Sequence, residues 1–218
     1  MVALFVVLTF ILFVVIDLII LKAQRKNYTA VEGSTKAVFN KKSLHLPANL
    51  FISKGHTWAQ RIEDGLVKIG IDEFVLKALG KISVSNMVQE QTVVRQGDVI
   101  MEGMSGNTRF QFRSPLDGTV KLVNRNLKII EDPYQKDWGM VVVPSNWDNN
   151  VKSLNTGLAV VNWMKEEFSR LKDFLSVNSY NTELVGVTMH DGGNIMEGSV
   201  TNIKDDGLKV FEKDFLSF

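Results

Sequence analysis

From Phe51 to about Val143 the chain is a succession of short alternating apolar segments cut by turn residues, and this pattern restricts its fold more than anything else in it. "GLVKIGI", "KISVS", "TVVRQGDVIMEG", "RFQFRS", "GTVKLV" and "WGMVVVP" follow one another. In "GLVKIGI", Leu66, Lys68 and Gly70 fall on one side and Val67, Ile69 and Ile71 on the other, the period of a strand with one buried face. Glu63-Asp64-Gly65, Gln96-Gly97-Asp98 and Ser114-Pro115-Leu116-Asp117-Gly118 punctuate the strands. Only "DEFVLKALG" reads as a helix, stopped by Gly80. Many short strands at close spacing predict a compact β-sandwich or barrel.

One segment, Val99 to Gly118 ("VIMEGMSGNTRFQFRSPLDG"), predicts a β-hairpin followed by a Ser-Pro turn. Gly103, Gly106 and Asn107 suit a tight turn because Gly and Asn tolerate positive φ. In "RFQFR", Arg109, Gln111 and Arg113 share one strand face and Phe110 and Phe112 the other. Arg109 and Arg113 are candidate partner-binding residues, since a planar guanidinium pairs well with carboxylates at interfaces. Arg95 and Arg125 are outlying candidates for the same patch.

The flanks have a different character. Val2 to Leu21 ("VALFVVLTFILFVVIDLIIL") is apolar except for Asp17. At about 1.5 Å per residue such a run matches the roughly 30 Å core of a bilayer, which predicts a single transmembrane helix over 1–26 and a lipid contact through residues 2–21. Lys22, Arg25 and Lys26 follow directly, so the positive-inside rule places the remaining bulk in the cytoplasm, with the chain in the cytoplasmic (inner) membrane. Asp17 reads either as an interfacial residue or as a polar contact with another transmembrane subunit. Residues 27–48 are polar without a strand or helix period and read as a linker. The predicted β domain covers 49–147. Residues 148–218 form an α+β extension, an amphipathic helix plus a β-hairpin. In "GLAVVNWMKEEFSRLKDFL", Val160, Trp163, Met164, Phe168, Leu171 and Leu175 make an apolar stripe suited to a core or to subunit packing. Trp163 stands as its candidate partner-binding residue.

A formal net charge of +1 argues against a nucleic-acid binder, which needs a basic face. There are no cysteines, so disulfides, thiolate metal sites and cysteine nucleophiles are excluded from this chain. His45, His56 and His190 show no metal-ligand spacing. Glu131, Asp132 and Asp137 are the remaining cation candidates. His190-Asp191-Gly192-Gly193 reads as a tight loop. No small-molecule substrate is indicated.

From Phe51 onward the chain resembles the H-protein of the glycine cleavage system, the lipoyl carrier of that pathway. The likeness rests on Lys54, His56 and Trp58 in "FISKGHTW", and on Gly70, Ile71, Ala78-Leu79-Gly80 and Ile82 in "VKIGIDEFVLKALGKI". It continues through Gly97-Asp98 to Ser114-Pro115 and Gly118, then in Asp132-Pro133-Tyr134 and Trp138. It implies a mainly β, barrel-sandwich hybrid fold and a structural role for Asp-Pro-Tyr. It also implies that the lipoyl-lysine position, seven residues before the Ser-Pro pair, is held here by Asn107, with Met104 replacing a glutamate. No lysine lies between Lys81 and Lys121, and Lys121 and Lys128 lie beyond the turn. The expectation is therefore a non-catalytic, non-lipoylated scaffold with no cofactor, docking other subunits of a membrane protein complex, for which a respiratory or redox complex is a suitable setting. The alternatives are a periplasmic membrane-fusion-type adaptor, whose long α-hairpin is absent here, and an atypical carrier.

Overall fold

The computed structural model describes residues 38–39, 46–47, 49–178, 189–190 and 194–218. The predicted membrane helix with Asp17, its basic flank and the 191–193 loop lie outside the described residues. Among those described, no helix is long and apolar enough to cross a membrane.

The strands are β1 Val38–Phe39, β2 Phe51–Ile52, β3 Thr57–Arg61, β4 Val67–Ile71, β5 Ile82–Met87, β6 Val93–Val94, β7 Val99–Ser105, β8 Thr108–Arg113, β9 Gly118–Val123, β10 Ile129–Ile130, β11 Met140–Pro144, β12 Asn155–Thr156, β13 Met189–His190 and β14 Asn194–Met196. The helices are α1 Glu73–Leu79, α2 Trp147–Asn150, α3 Leu158–Asn178 and α4 Asp205–Phe215. The strands form a seven-stranded sheet, β12-β2-β3-β4-β11-β9-β6, a four-stranded sheet, β10-β5-β7-β8, and a small sheet, β1-β14-β13. The predicted mainly β fold is thus built from antiparallel sheets.

The core is the sum of the inward faces. Trp58, Ile69, Ile71, Val120, Met140 and Val142 come from the larger sheet, and Ile82, Ile100, Phe110 and Phe112 from the four-stranded one. Each fully buried side chain of this size contributes about 1.5–3 kcal/mol. Trp58 lies across Gly70 on the neighbouring strand, where an added Cβ would come within 2.6 Å of the indole. Its Nε1 donates to Ile71 O at 3.0 Å, so the buried N–H is satisfied. The helix read at 73–79 starts at Asp72, whose Oδ1 accepts from Val75 N at 3.1 Å, and ends at Gly80 with φ +75°.

Residues from both flanking segments take part in the sheets. The linker read over 27–48 contains β1, which pairs with β14; two residues are too few to show a period in sequence. The extension over 148–218 lies within the same compact unit, Val38–Phe218, as the β domain. β12 joins the edge of the larger sheet through β2. Val160, Met164, Phe168, Leu171 and Leu175 of α3 are buried in the shared core, the core alternative of the two read for this stripe. Phe211 of α4 meets Phe110 of β8 edge-on, with ring centroids 6.3 Å apart.

Candidate functional site

The β7–β8 hairpin, which the sequence singles out, exposes its tip and Arg109 while most of its length is buried or half-buried. Ser105 pairs with Thr108, leaving Gly106-Asn107 as a two-residue loop. Gly106 has φ +58°, and Asn107 has no positive φ, the pattern of a type II′ turn, whose twist suits a hairpin. Both residues are exposed, and a Cβ at Gly106 would meet nothing within 4 Å. The expected roles of the glycines therefore separate. Gly106 supplies the positive φ. Gly103 sits inside β7, where a Cβ would lie 2.7 Å from Ile82 Cγ2 and 3.2 Å from Phe112. Asn107 needs no special backbone.

The hairpin is fixed at both ends. Near the tip, buried Ser105 donates from Oγ to Leu79 O at 2.6 Å, satisfying a carbonyl at the end of α1. At the base, Gly97 N donates to Ser114 O at 2.8 Å and Ser114 N to Asp98 O at 2.7 Å. Asp117 accepts from Gln96 N at 2.7 Å and from Asn150 Nδ2 at 3.0 Å. These donors hold its carboxyl below the ordinary value, the Gln96 N–H contributing most.

Strand alternation is as read: Phe110 and Phe112 are buried, while Arg109, Gln111 and Arg113 face outward. The outward residues are not equivalent. The Arg109 side chain is 64% exposed and pairs loosely with Glu102 at 3.6 Å. Arg113 is half-buried and donates to Gly97 O at 3.0 Å. Gln111 N donates to Glu212 Oε1 at 2.9 Å, so a side chain of α4 caps the outer edge of β8. Arg95 lies at the turn at the hairpin base. Arg125, on the loop before β10, pairs with Glu90 across the sheet from β8 and does not join the Arg109 face.

Trp163 is half-buried, its ring stacked on His56 at 4.9 Å. His56 is fully buried, sandwiched by Phe74 on the other side at 4.6 Å, and its Nδ1 lies 2.7 Å from Asp72 Oδ2. Sequence reading missed this pair. The signal available was a histidine two residues before the core tryptophan and an aspartate at a helix N-cap, which spacing alone does not join. Among the described residues His56 Nε2 has no hydrogen-bond partner. The pair ties the β3 approach to α1 and α3.

Asp137 Oδ2 accepts from Glu131 N and Asp132 N, both at 2.7 Å, so this acidic group organises its own loop. Among the described residues no group of three or more His, Cys, Asp or Glu could hold a metal. Tyr134 packs against Trp58 and accepts from Glu73 N at 3.1 Å. Burial, with the Asp72 carboxylate nearby, pushes its hydroxyl well above the ordinary value.

The family model described as glycine cleavage H-protein matches residues 50–167. A probable glycine cleavage system H protein of Pyrococcus furiosus is 33% identical over 121 residues, covering 53% of this chain and 90% of the relative. A glycine cleavage system H protein of Oceanobacillus iheyensis is 31% identical over 108 residues, 47% of this chain and 85% of the relative. The solved structure of such a protein from Mycobacterium marinum aligns at 23% identity with a TM-score of 0.42, over 46% of this chain and 87% of that one. The mainly β, hairpin-presenting domain described here belongs to the glycine cleavage H-protein family.

Proposed function

We propose that the chain is an H-protein-fold docking subunit that carries no lipoyl group and is held at a membrane by residues 2–21, its bulk on the cytoplasmic side. The observation that carries this reading is the tip. The hairpin keeps an exposed, well-formed turn, yet that turn presents the carboxamide of Asn107, which cannot form an amide with a carboxylic cofactor. A second feature supports it: β8, the strand running down from the tip, has its edge and inner face covered by α4, so an arm swung that way meets the chain's own surface. Arg109 is the most available side chain for a partner, whereas Arg113 and Trp163 are already engaged within the fold.

A carrier function through another lysine is the second reading. Ser83 pairs with Met104, so one continuation of that register brings exposed Lys81 level with Gly106. One experiment separates the two. The full chain is expressed in lipoate-fed cells with an active lipoylating enzyme, extracted in mild detergent, and its intact mass measured with what co-purifies. An unmodified mass with a stoichiometric partner in the membrane fraction is expected. A lipoyl mass increment mapped to Lys81 or any other lysine would overturn the docking reading.

A further inference from the structure

The loop after β10, the start of α1 and the chain leading into β2 enclose an open groove of about 670 Å³. Its floor is apolar, made by Leu46, Pro47, Leu50 and Tyr134. Its rim is acidic, made by Glu73, Glu131 and Asp132, and among the described residues no lysine or arginine lines it. Glu73 opens α1, and Glu131 and Asp132 follow β10 directly.

Two cations beside this rim are committed elsewhere. Lys77 is shared between two glutamates, Glu73 at 3.5 Å and Glu197 at 3.2 Å. Lys68, opposite Gln60 in the β3–β4 register, lies over the Trp138 ring at 5.7 Å. Glu131 and Asp132 have no ion pair among the described residues. Counting α1, Glu197 and the 131–137 loop together, five carboxylates stand against the ammonium groups of Lys77 and Lys136. The Tyr134 hydroxyl, held well above its ordinary value by burial and then by the Asp72 carboxylate, stays neutral and leaves that excess unchanged. The groove thus sets uncompensated negative charge over an apolar floor. That pairing suits lysine and arginine, whose methylene stems lie along apolar surface while the charged head reaches a carboxylate. An acidic segment would be repelled there.

We propose that this groove docks a basic peptide segment of a membrane-embedded partner, with Lys or Arg heads on Glu131 and Asp132 and apolar side chains on Leu46, Leu50 and Tyr134. Cytoplasmic flanks of membrane-spanning helices are rich in Lys and Arg, so a partner in the same membrane presents such a segment on the side that the docking reading gives to the bulk of this chain. The inference rests on that reading and names the chemistry of the partner it takes.

The test titrates labelled synthetic peptides against the full chain in dodecyl maltoside, read by fluorescence anisotropy with empty micelles as the blank. The probe is a dodecapeptide of Lys, Leu and Ser. One counterpart replaces every Lys by Glu, and another replaces every Leu by Ser. The Lys-Leu peptide is expected to bind, the Glu-Leu peptide not to bind, and the Lys-Ser peptide to bind roughly tenfold more weakly. In Glu131→Gln/Asp132→Asn the affinity for the Lys-Leu peptide should fall roughly fivefold to tenfold. Glu166→Gln/Asp173→Asn, which removes the same charge from exposed positions of α3, should leave it unchanged. No binding, an equal loss in both variants, or equal binding of the Lys-Ser peptide would overturn the inference. Binding that appears only after Lys41→Ser/Lys42→Ser would assign the groove to this chain's own basic segment and overturn it too. A co-purifying partner that stays bound to Glu131→Gln/Asp132→Asn would overturn this inference and leave the docking reading standing, whereas a lipoyl mass increment would overturn the docking reading itself.

Discussion

Truncating Phe211 tests whether the C-terminal helix is part of the carrier-fold core. Phe211 is fully buried and sits among three rings: Phe110 of β8 at 6.3 Å, Phe174 of α3 at 5.8 Å and Phe215, one turn on in its own helix, at 4.9 Å. Because Phe110 and Phe174 are anchored on two other elements, they can only partly close over the space left by Phe211→Ala. Phe-to-Ala changes in such sites cost about 3–5 kcal/mol, and restricted collapse favours the middle of that range or above, about 4 kcal/mol. With a urea dependence of about 2 kcal/mol per molar, the unfolding midpoint should fall by about 2 M. The assay is urea titration of the full chain in dodecyl maltoside, read together by tryptophan fluorescence and far-UV circular dichroism. The fluorescence sums Trp58, Trp138 and Trp147 around the larger sheet with Trp163 on α3, and the helical signal is dominated by α3 and α4, so one shared, lowered transition is expected. A midpoint change below about 0.5 M would refute the reasoning. So would part of the helical signal lost separately while the fluorescence transition stays in place, because α4 would then be an appendage.

Gly103→Ala should cost about 1–3 kcal/mol by overpacking, since its Cβ would press on Ile82 Cγ2 at 2.7 Å, whereas Gly106→Ala should cost less because its surroundings are empty and only the φ of +58° is unfavourable; thermal unfolding of the two variants ranks them. Asp117→Asn should destabilise the chain by about 1 kcal/mol at neutral pH, where the carboxylate accepts from Gln96 N and Asn150 Nδ2. The folded value lies below the ordinary 3.8, so this contribution is complete above the unfolded carboxylate range and is lost as pH falls through the folded value. Paired urea titrations should accordingly show the difference shrinking below about pH 4, and a difference that grows on acidification would reverse the assignment.

Much of the fold was legible because its signals are local. Alternation in "GLVKIGI" and "RFQFR" and the Gly80 stop each announce their element within a few residues, and the structure places those elements there. What sequence did not reveal is non-local. β1 is two residues long and exists only because β14 lies beside it. The His56–Asp72 bond spans sixteen residues, and the Glu212 cap on Gln111 spans 101, separations at which residue type carries no pairing information. Arg109 and Arg113 look alike in sequence because both alternate outward. Only the position of Gly97 O, fixed by the turn at the hairpin base, distinguishes the exposed one from the one already bonded.

The shape of the hairpin does not depend on the side chain at its tip. Its conformation is set by residues other than 107: Gly103 admits Ile82, Ser105 binds Leu79 O, Gly106 supplies the turn, and Phe110 and Phe112 anchor the return strand. Position 107 is exposed in the turn, so exchanging its side chain alters chemistry while leaving stability nearly untouched. The same reasoning applies to the β8 edge of the sheet that bears the tip. Glu212, Phe211 and Phe215 are committed to α4 packing over the β8 side, and uncovering it would cost several kcal/mol of buried aromatic surface. On the proposed docking reading, a partner would not meet that cost on the exposed Arg109 face, which needs no part of the fold uncovered before it is reached.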